Sequence, residues 1–357
     1  MSCMSLAYPC AALQPVAAAV QQAFARGVRP ILLDDGTGGV YACRSLQQRL
    51  VGIFKPCDEE PGAPFNPKAN GNIVRQGIPL GQMAVRECMA FFADVDAFAR
   101  VPPTALAFSK HEEFNSGAKK LGSFQAYCPH DCSAEDMGPS SFAVDDVHAI
   151  ACLDIRLFNQ DRHAGNLLVQ RSTSAGEPSQ LTLVPIDHGC CLPELEHMDE
   201  TTFAWMQWPQ ANLPFSAKIK AYVASLDSFA QEEAMKQSIR PPVKALATLH
   251  VGTLLLKKCV AMGLTAFEMG QLLVRSSLAM PSPMECLVAQ LKHLDPYRHI
   301  HLYLRVFEVA LDKLVRRMFP RTTNVVCADN GWTIQQPTQQ EFAARKSYAK
   351  VLLSSAA

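Results

Sequence analysis

The sequence predicts an α+β chain of two unequal lobes, a small β-rich one followed by a larger α-rich one. Three observations carry this. Residues 31 to 127 hold short apolar runs punctuated by Gly, Pro and Asp. Residues 216 to 319 repeat apolar side chains every three or four positions. The length, 357 residues with 48% apolar, exceeds a minimal domain and suits a chain that buries two cores.

In chain order, "AALQPVAAAVQQAFARG" predicts a helix within an N-terminal extension, residues 1–30. "RPILLDDGTGGVYACRS" reads as strand, turn, strand, with Gly36, Gly38 and Gly39 in the turn. "RLVGIFKP" is the next strand, stopped by Pro56. Residues 58 to 77 are loop by composition. "QMAVRECMAFFADVDAFA" places Met83, Val85, Met89, Phe92 and Val95 at helical spacing. "TALAFSK" and "GSFQAYC" predict a hairpin that closes the first lobe at residue 127.

The second lobe spans residues 128–320. A turn-rich stretch leads into the helix "DVHAIACLDIRLF", and two short strands follow, "NLLV" and "LTLVPI". From 321 to 357 the sequence reads as a polar tail.

Composition excludes several classes. Lys plus Arg and Asp plus Glu both number 33, so charge gives no case for nucleic acid as a partner. The 13 cysteines are odd in number and scattered, without paired CxxC elements, and predict reduced core thiols rather than a disulfide framework or a zinc site. The most apolar long stretch, from Ala245, is interrupted by Lys257 and Lys258 and reads as a core helix rather than a membrane span. With no leader visible, the expected location is cytoplasmic.

Chemistry gathers at "DRHAGN", residues 161–166, which interrupts an apolar stretch. Asp161 and Asn166 sit at the two ends of a tight loop. "PIDHG" then delivers Asp187 at a strand end. Phosphoryl transfer needs one carboxylate to accept or orient the attacking hydroxyl. It also needs an amide oxygen and a second carboxylate to hold Mg²⁺. Upstream, a Gly-rich turn lets backbone N–H groups approach phosphates, Lys55 stands on the following strand as a phosphate-binding lysine, and Glu87 lies on the next helix as its partner. Each piece is common alone; the ordered set is specific.

At these residues the chain resembles a known family. "DRHAGN" with "PIDHG" resembles the catalytic and metal-binding motifs of the phosphatidylinositol 3- and 4-kinase superfamily, which read DRH rather than the HRD of protein kinases. "GTGGVY", "VREC", "VPPTAL", "DDVHAIACLDIRLFNQDRHAGNLLV", "PIDHGCCLPE" and "TTFAWMQWPQANLPFS" look like the plant-type, type II-like gamma class. The resemblance implies a bilobal protein-kinase-like fold with ATP and Mg²⁺ in the cleft. It implies that Gly36, Gly38 and Gly39 cover the phosphates and that Lys55, held by Glu87, contacts the α- and β-phosphates. Phe124, Gln125, Ala126 and Tyr127 would form the hinge beside adenine. Asp161 would be the catalytic base or orienting group, and Asn166 and Asp187 the metal ligands. His163 is left with two readings, a proton-transfer group or a brace for the loop. Arg162 is expected to pair with a carboxylate, and His188 to pack or hydrogen-bond.

The implied activity is phosphoryl transfer from ATP to the inositol ring of phosphatidylinositol, with Ser/Thr protein phosphorylation on the same scaffold as the alternative acceptor. An inactive nucleotide-binding scaffold would be expected to lack at least one of Lys55, Asp161, Asn166 and Asp187, and all four are present. Glu194, Glu196, Asp199 and Glu200 precede the first lysine, Lys218, on the acceptor side. That charge points to an inositol lipid without ring phosphates or to a basic peptide. Phe203, Trp205 and Trp208 are read as core of the large lobe, with shallow membrane or substrate contact as the alternative if they are exposed. With no polybasic patch beside them, membrane contact should be weak and transient.

Overall fold

A computed structural model describes residues 2–68, 74–172 and 180–320. The expected polar tail, and Ala69 to Ile73 of the expected loop, lie outside the described residues.

The small lobe is built on one antiparallel sheet. Its strands are β1 (Cys3–Leu6), β2 (Ile31–Leu32), β3 (Tyr41–Arg44), β4 (Leu50–Pro56), β5 (Thr104–Lys110) and β6 (Lys120–Ala126), ordered β1-β5-β6-β4-β3-β2. Side chains alternate across the sheet. Phe54, Ala105, Ala107 and Phe124 face a helix, α1 (Gln14–Ala25), whose Ala17, Val20 and Phe24 share their cluster. Leu106 faces the other way, towards Cys88, Met89 and Ala93 of α2 (Met83–Ala93). Lys55, one residue after Phe54, therefore faces the α2 side of the sheet.

The first thirty residues contain more than the expected helix. Cys3–Leu6 adds an edge strand, pairing Met4 with Ser109 and Leu6 with Ala107 of β5. Four residues are too few to display a period-two pattern beside a helix.

The large lobe is organised around α3 (Val144–Leu157), in which every residue from Asp146 onward is buried. A second antiparallel sheet, β7 (Cys132–Ser133), β8 (Leu167–Ser172) and β9 (Gln180–Pro185), follows the expected pair of strands and adds β7 at its edge. The helices α4 (Ala217–Ser225), α5 (Ser228–Lys236), α6 (Val243–Ala261), α7 (Ala266–Leu273), α8 (Pro283–Gln290) and α9 (Ile300–Met318) make up the rest, with α6 packed between α3 and α9. Four of them start at side-chain caps, Ser216, Asp227, Thr265 and Ser282. Each cap satisfies an otherwise orphaned N–H and contributes about 1 kcal/mol. Thr265 and Ser282 form full capping boxes with Glu268 and Glu285.

Candidate active site

Three elements from different parts of the chain converge on one ammonium. Lys55 on β4 donates to Glu87 Oε1 at 2.5 Å and to Asp187 Oδ1 at 2.9 Å. Glu87, on α2, is buried, and its other oxygen accepts from the His188 N–H at 3.0 Å. Asp187 follows β9 with φ of 55°, a left-handed conformation that costs a non-glycine residue strain. Its neighbours hold it there, since Ile186 N–H donates to the Asn166 carbonyl at 3.0 Å while His188 is tied to Glu87.

The three charges shift one another. Burial works to raise the Asp187 carboxyl, but the adjacent Lys55 charge outweighs it and holds the group well below the usual carboxylate range. Burial opposes the Lys55 charge too, and the Asp187 and Glu87 carboxylates overcome it. Burial pushes Glu87 up, against the opposing pull of Lys55.

The loop between α3 and β8 carries Asp161 and Asn166. The Asp161 N–H donates to Asn159 Oδ1 at 2.9 Å, and the Asn166 Nδ2 donates to the Asp161 carbonyl at 2.9 Å. That bond ties the Asn166 amide nitrogen to the loop. Arg162 fixes the loop from beneath. Its Nη1 donates to the carbonyls of Asn166 and Ile186 at 2.7 and 2.9 Å. Its Nη2 meets His188 Nε2 at 3.0 Å. A guanidinium only donates, so Nε2 accepts and the His188 proton is on Nδ1, 4.0 Å from Glu87 Oε2. Burial, reinforced by Arg162, pushes the His188 ring well below its ordinary value and keeps it neutral.

The carboxylate that Arg162 was expected to find is Asp154, in α3. It also accepts from Asn159 Nδ2 at 2.9 Å and from Trp205 Nε1 at 3.0 Å. Asp154 was absent from the expected site, although an Asp set in the apolar run "AIACLDI" is a visible signal.

The remaining expected residues lie differently. His163 is half-exposed, with Nδ1 3.4 Å from Glu135 Oε1, an oxygen that also accepts the Gly165 N–H. The glycine turn is held to the segment after β4. Gly39 spends its N–H on the Glu59 carbonyl at 2.8 Å, and a Cβ there would come within 2.3 Å of the Glu59 carboxylate. Lys68 caps the carbonyls of Asp34, Asp35 and Gly36. Phe124, Gln125 and Ala126 pair within the sheet against β4, while Ala126 and Tyr127 give their N–H groups to Pro103 and Val51. The Ala126 and Tyr127 N–H groups are therefore committed.

The aromatic segment lies in the core, as its first reading has it, and the membrane alternative falls away. Phe203, Trp205 and Trp208 are 4%, 0% and 7% exposed and belong to the large-lobe core. Trp205 is spent on Asp154 and Trp208 packs against Phe142, so none of the three is available to enter a membrane.

A small lobe with its lysine and helix glutamate, over a large lobe with Asp161, Asn166 and Asp187, defines a bilobal kinase-like fold. Residues 37–269 match the family described as Phosphatidylinositol 3- and 4-kinase, and the chain belongs to that family. It is 41% identical over 286 residues to Phosphatidylinositol 4-kinase gamma 4 of Arabidopsis thaliana, covering 74% of this chain and 50% of that one. Against Phosphatidylinositol 4-kinase gamma 1 of the same plant it is 38% identical over 281 residues, covering 74% and 50%. Against Phosphatidylinositol 4-kinase gamma 4 of Oryza sativa subsp. japonica it is 38% identical over 283 residues, covering 74% and 48%. The chain thus spans about half the length of these curated relatives. Among solved structures, the Helicobacter pylori proinflammatory kinase CtkA aligns with 80% of this chain and 94% of its own at 11% identity. The TM-score of 0.28 is too low to bear on the argument.

Proposed function

We propose that this chain transfers the γ-phosphate of ATP to the inositol ring of phosphatidylinositol, as a 1-phosphatidylinositol 4-kinase. The observation that carries the reading is the Lys55 ammonium held between Glu87 of the small lobe and Asp187 of the large one. In this arrangement Lys55 would meet the α- and β-phosphates, with Glu87 keeping its charge in place. Asp161 would accept or orient the acceptor hydroxyl. The donors left open suit Mg²⁺, a hard cation that takes one or two protein oxygens together with phosphate oxygens. Asn166, through its amide oxygen, and Asp187, an ionised carboxylate, would hold it. When bound it neutralises charge developing on the transferred phosphoryl group. Adenine would lie against the segment from Phe124 to Tyr127. His163, beside Glu135, is read as a brace for the loop.

The lipid is favoured over a basic peptide because part of the acidic stretch is internally engaged. Glu194 pairs with Lys244 at 2.6 Å, Glu196 accepts from the Tyr297 hydroxyl at 2.5 Å, and Glu200 pairs with Arg75. Lys244 and Arg75 offset two of the four carboxylates, which leaves less negative charge to attract a cationic substrate. With these aromatics in the core, membrane contact is proposed to be transient, by a cytoplasmic protein. Among the described residues no helix is long and apolar enough to cross a membrane.

The test offers labelled ATP with phosphatidylinositol vesicles and a mixed basic protein side by side. Label should enter the lipid and be lost with Asp187→Ala. Label entering only the protein would replace the lipid reading with the protein one.

A further inference from the structure

Arg75 comes from the stretch between β4 and α2 and reaches across to the large lobe. Its Nη2 donates to Asp161 Oδ1 at 3.1 Å, and its Nη1 donates to the Gln160 carbonyl at 3.2 Å and to the Glu200 carboxylate. The strap is anchored two residues further on, where the Glu194 N–H donates to the Gly77 carbonyl at 2.9 Å. A Cβ at Gly77 would lie 2.8 Å from the His197 side chain and 2.9 Å from that of Pro193, so only glycine lets the backbone come so near.

The other holds on Asp161 are on its backbone. Its N–H is bound by Asn159 and its carbonyl by Asn166. Arg75 is the side chain that holds its carboxylate, and it engages one oxygen. The side chain of Asp161 is 36% exposed, which leaves the second oxygen open to an acceptor. Between Asp187 and Lys218 the acceptor side has no cation of its own, so Arg75 brings from the other lobe a charge that the local sequence lacks.

Resting on the kinase reading above, we propose that Arg75 is a positioning residue for the transfer step. It sets the rotamer of the Asp161 carboxylate, and its planar fork reaches three acceptors at once. A lysine at this position keeps the charge but has one nitrogen for three partners. Freed of Arg75, the carboxylate samples other rotamers, and displacement of a reacting group by about 1 Å costs up to about a hundredfold in rate.

The test compares the full chain with Arg75→Ala, Arg75→Lys and Glu200→Gln on phosphatidylinositol vesicles. It measures kcat, KM for ATP, binding of a fluorescent ATP analogue and thermal melting. Arg75→Ala should lower kcat about 10- to 100-fold with analogue affinity within about twofold of the parent. Arg75→Lys should recover part of the loss, and Glu200→Gln should cost much less than Arg75→Ala. A kcat for Arg75→Ala equal to or above the parent would overturn the proposal, and an increase would mark the contact as inhibitory. A loss of analogue affinity in step with kcat, or an equal loss in Glu200→Gln, would assign Arg75 to holding the strap and overturn it too. A parent that labels neither lipid nor protein would sink the kinase reading itself, which is distinct from an active parent indifferent to Arg75.

Discussion

Arg162 meets both carboxylate oxygens of Asp154 through its Nε, each at 3.0 Å, and both side chains are sealed from water. A buried ion pair is costly to break on one side because the surviving charge has no solvent. Here the loss would spread, since Asp154 also holds Asn159 and Trp205, and Arg162 also holds the Asn166 and Ile186 carbonyls. Asp154→Ala should therefore destabilise the chain by about 3–5 kcal/mol. The drop in urea midpoint, with the slope unchanged, is the measurement. A loss below about 1 kcal/mol would show that water or another group reaches Arg162.

Much of the site was legible because its parts are local. The five-residue spacing of Asp161 and Asn166, the strand-end Asp187 and the order Lys55 then Glu87 are readable without tertiary contacts. Arg75 was not, because it meets Asp161 from 86 positions away and nothing in "NIVRQG" marks it. The hinge assignment shows a different gap. Strand period says that Phe124 to Ala126 are in a sheet, but only the pairing with β4 and β5 shows their N–H groups to be committed. The strands β1 and β7, four and two residues long, fall below the length at which alternation is visible.

Burial of the aromatic segment sets its own expectation. Trp208 packs on Phe142 with ring centroids 5.1 Å apart and is 7% exposed. Trp208→Ala should then cost about 3–5 kcal/mol through lost contact and the cavity left behind. Vesicle binding by the fraction that remains folded should be unchanged. Co-sedimentation with phosphatidylinositol vesicles, corrected for folded fraction by near-UV circular dichroism, checks both halves. Lost vesicle binding at unchanged stability would return Trp208 to the membrane surface.

Glu60 supplies a pH dependence with a definite sign. It is 6% exposed, and its carboxylate accepts the Gly81 N–H at 2.8 Å and the Ala84 N–H at 3.1 Å at the start of α2. Burial raises it from 4.5 to about 7, against the lowering effect of those N–H groups. The folded chain therefore holds a proton that the unfolded chain has released between these two values. Its contribution to stability is fully present below about 4.5 and is lost as pH rises through about 7. The span corresponds to a loss on the order of 3 kcal/mol. Glu60→Gln removes the titration while keeping an acceptor oxygen at the helix start. Urea midpoints of the two proteins between pH 4 and pH 8 should show the parent losing stability relative to the variant as pH rises. Because other buried groups titrate in both chains alike, the difference between them isolates Glu60. A difference that stays flat across the range would mean that water reaches the carboxylate, leaving α2 capped by an ordinary ionised glutamate.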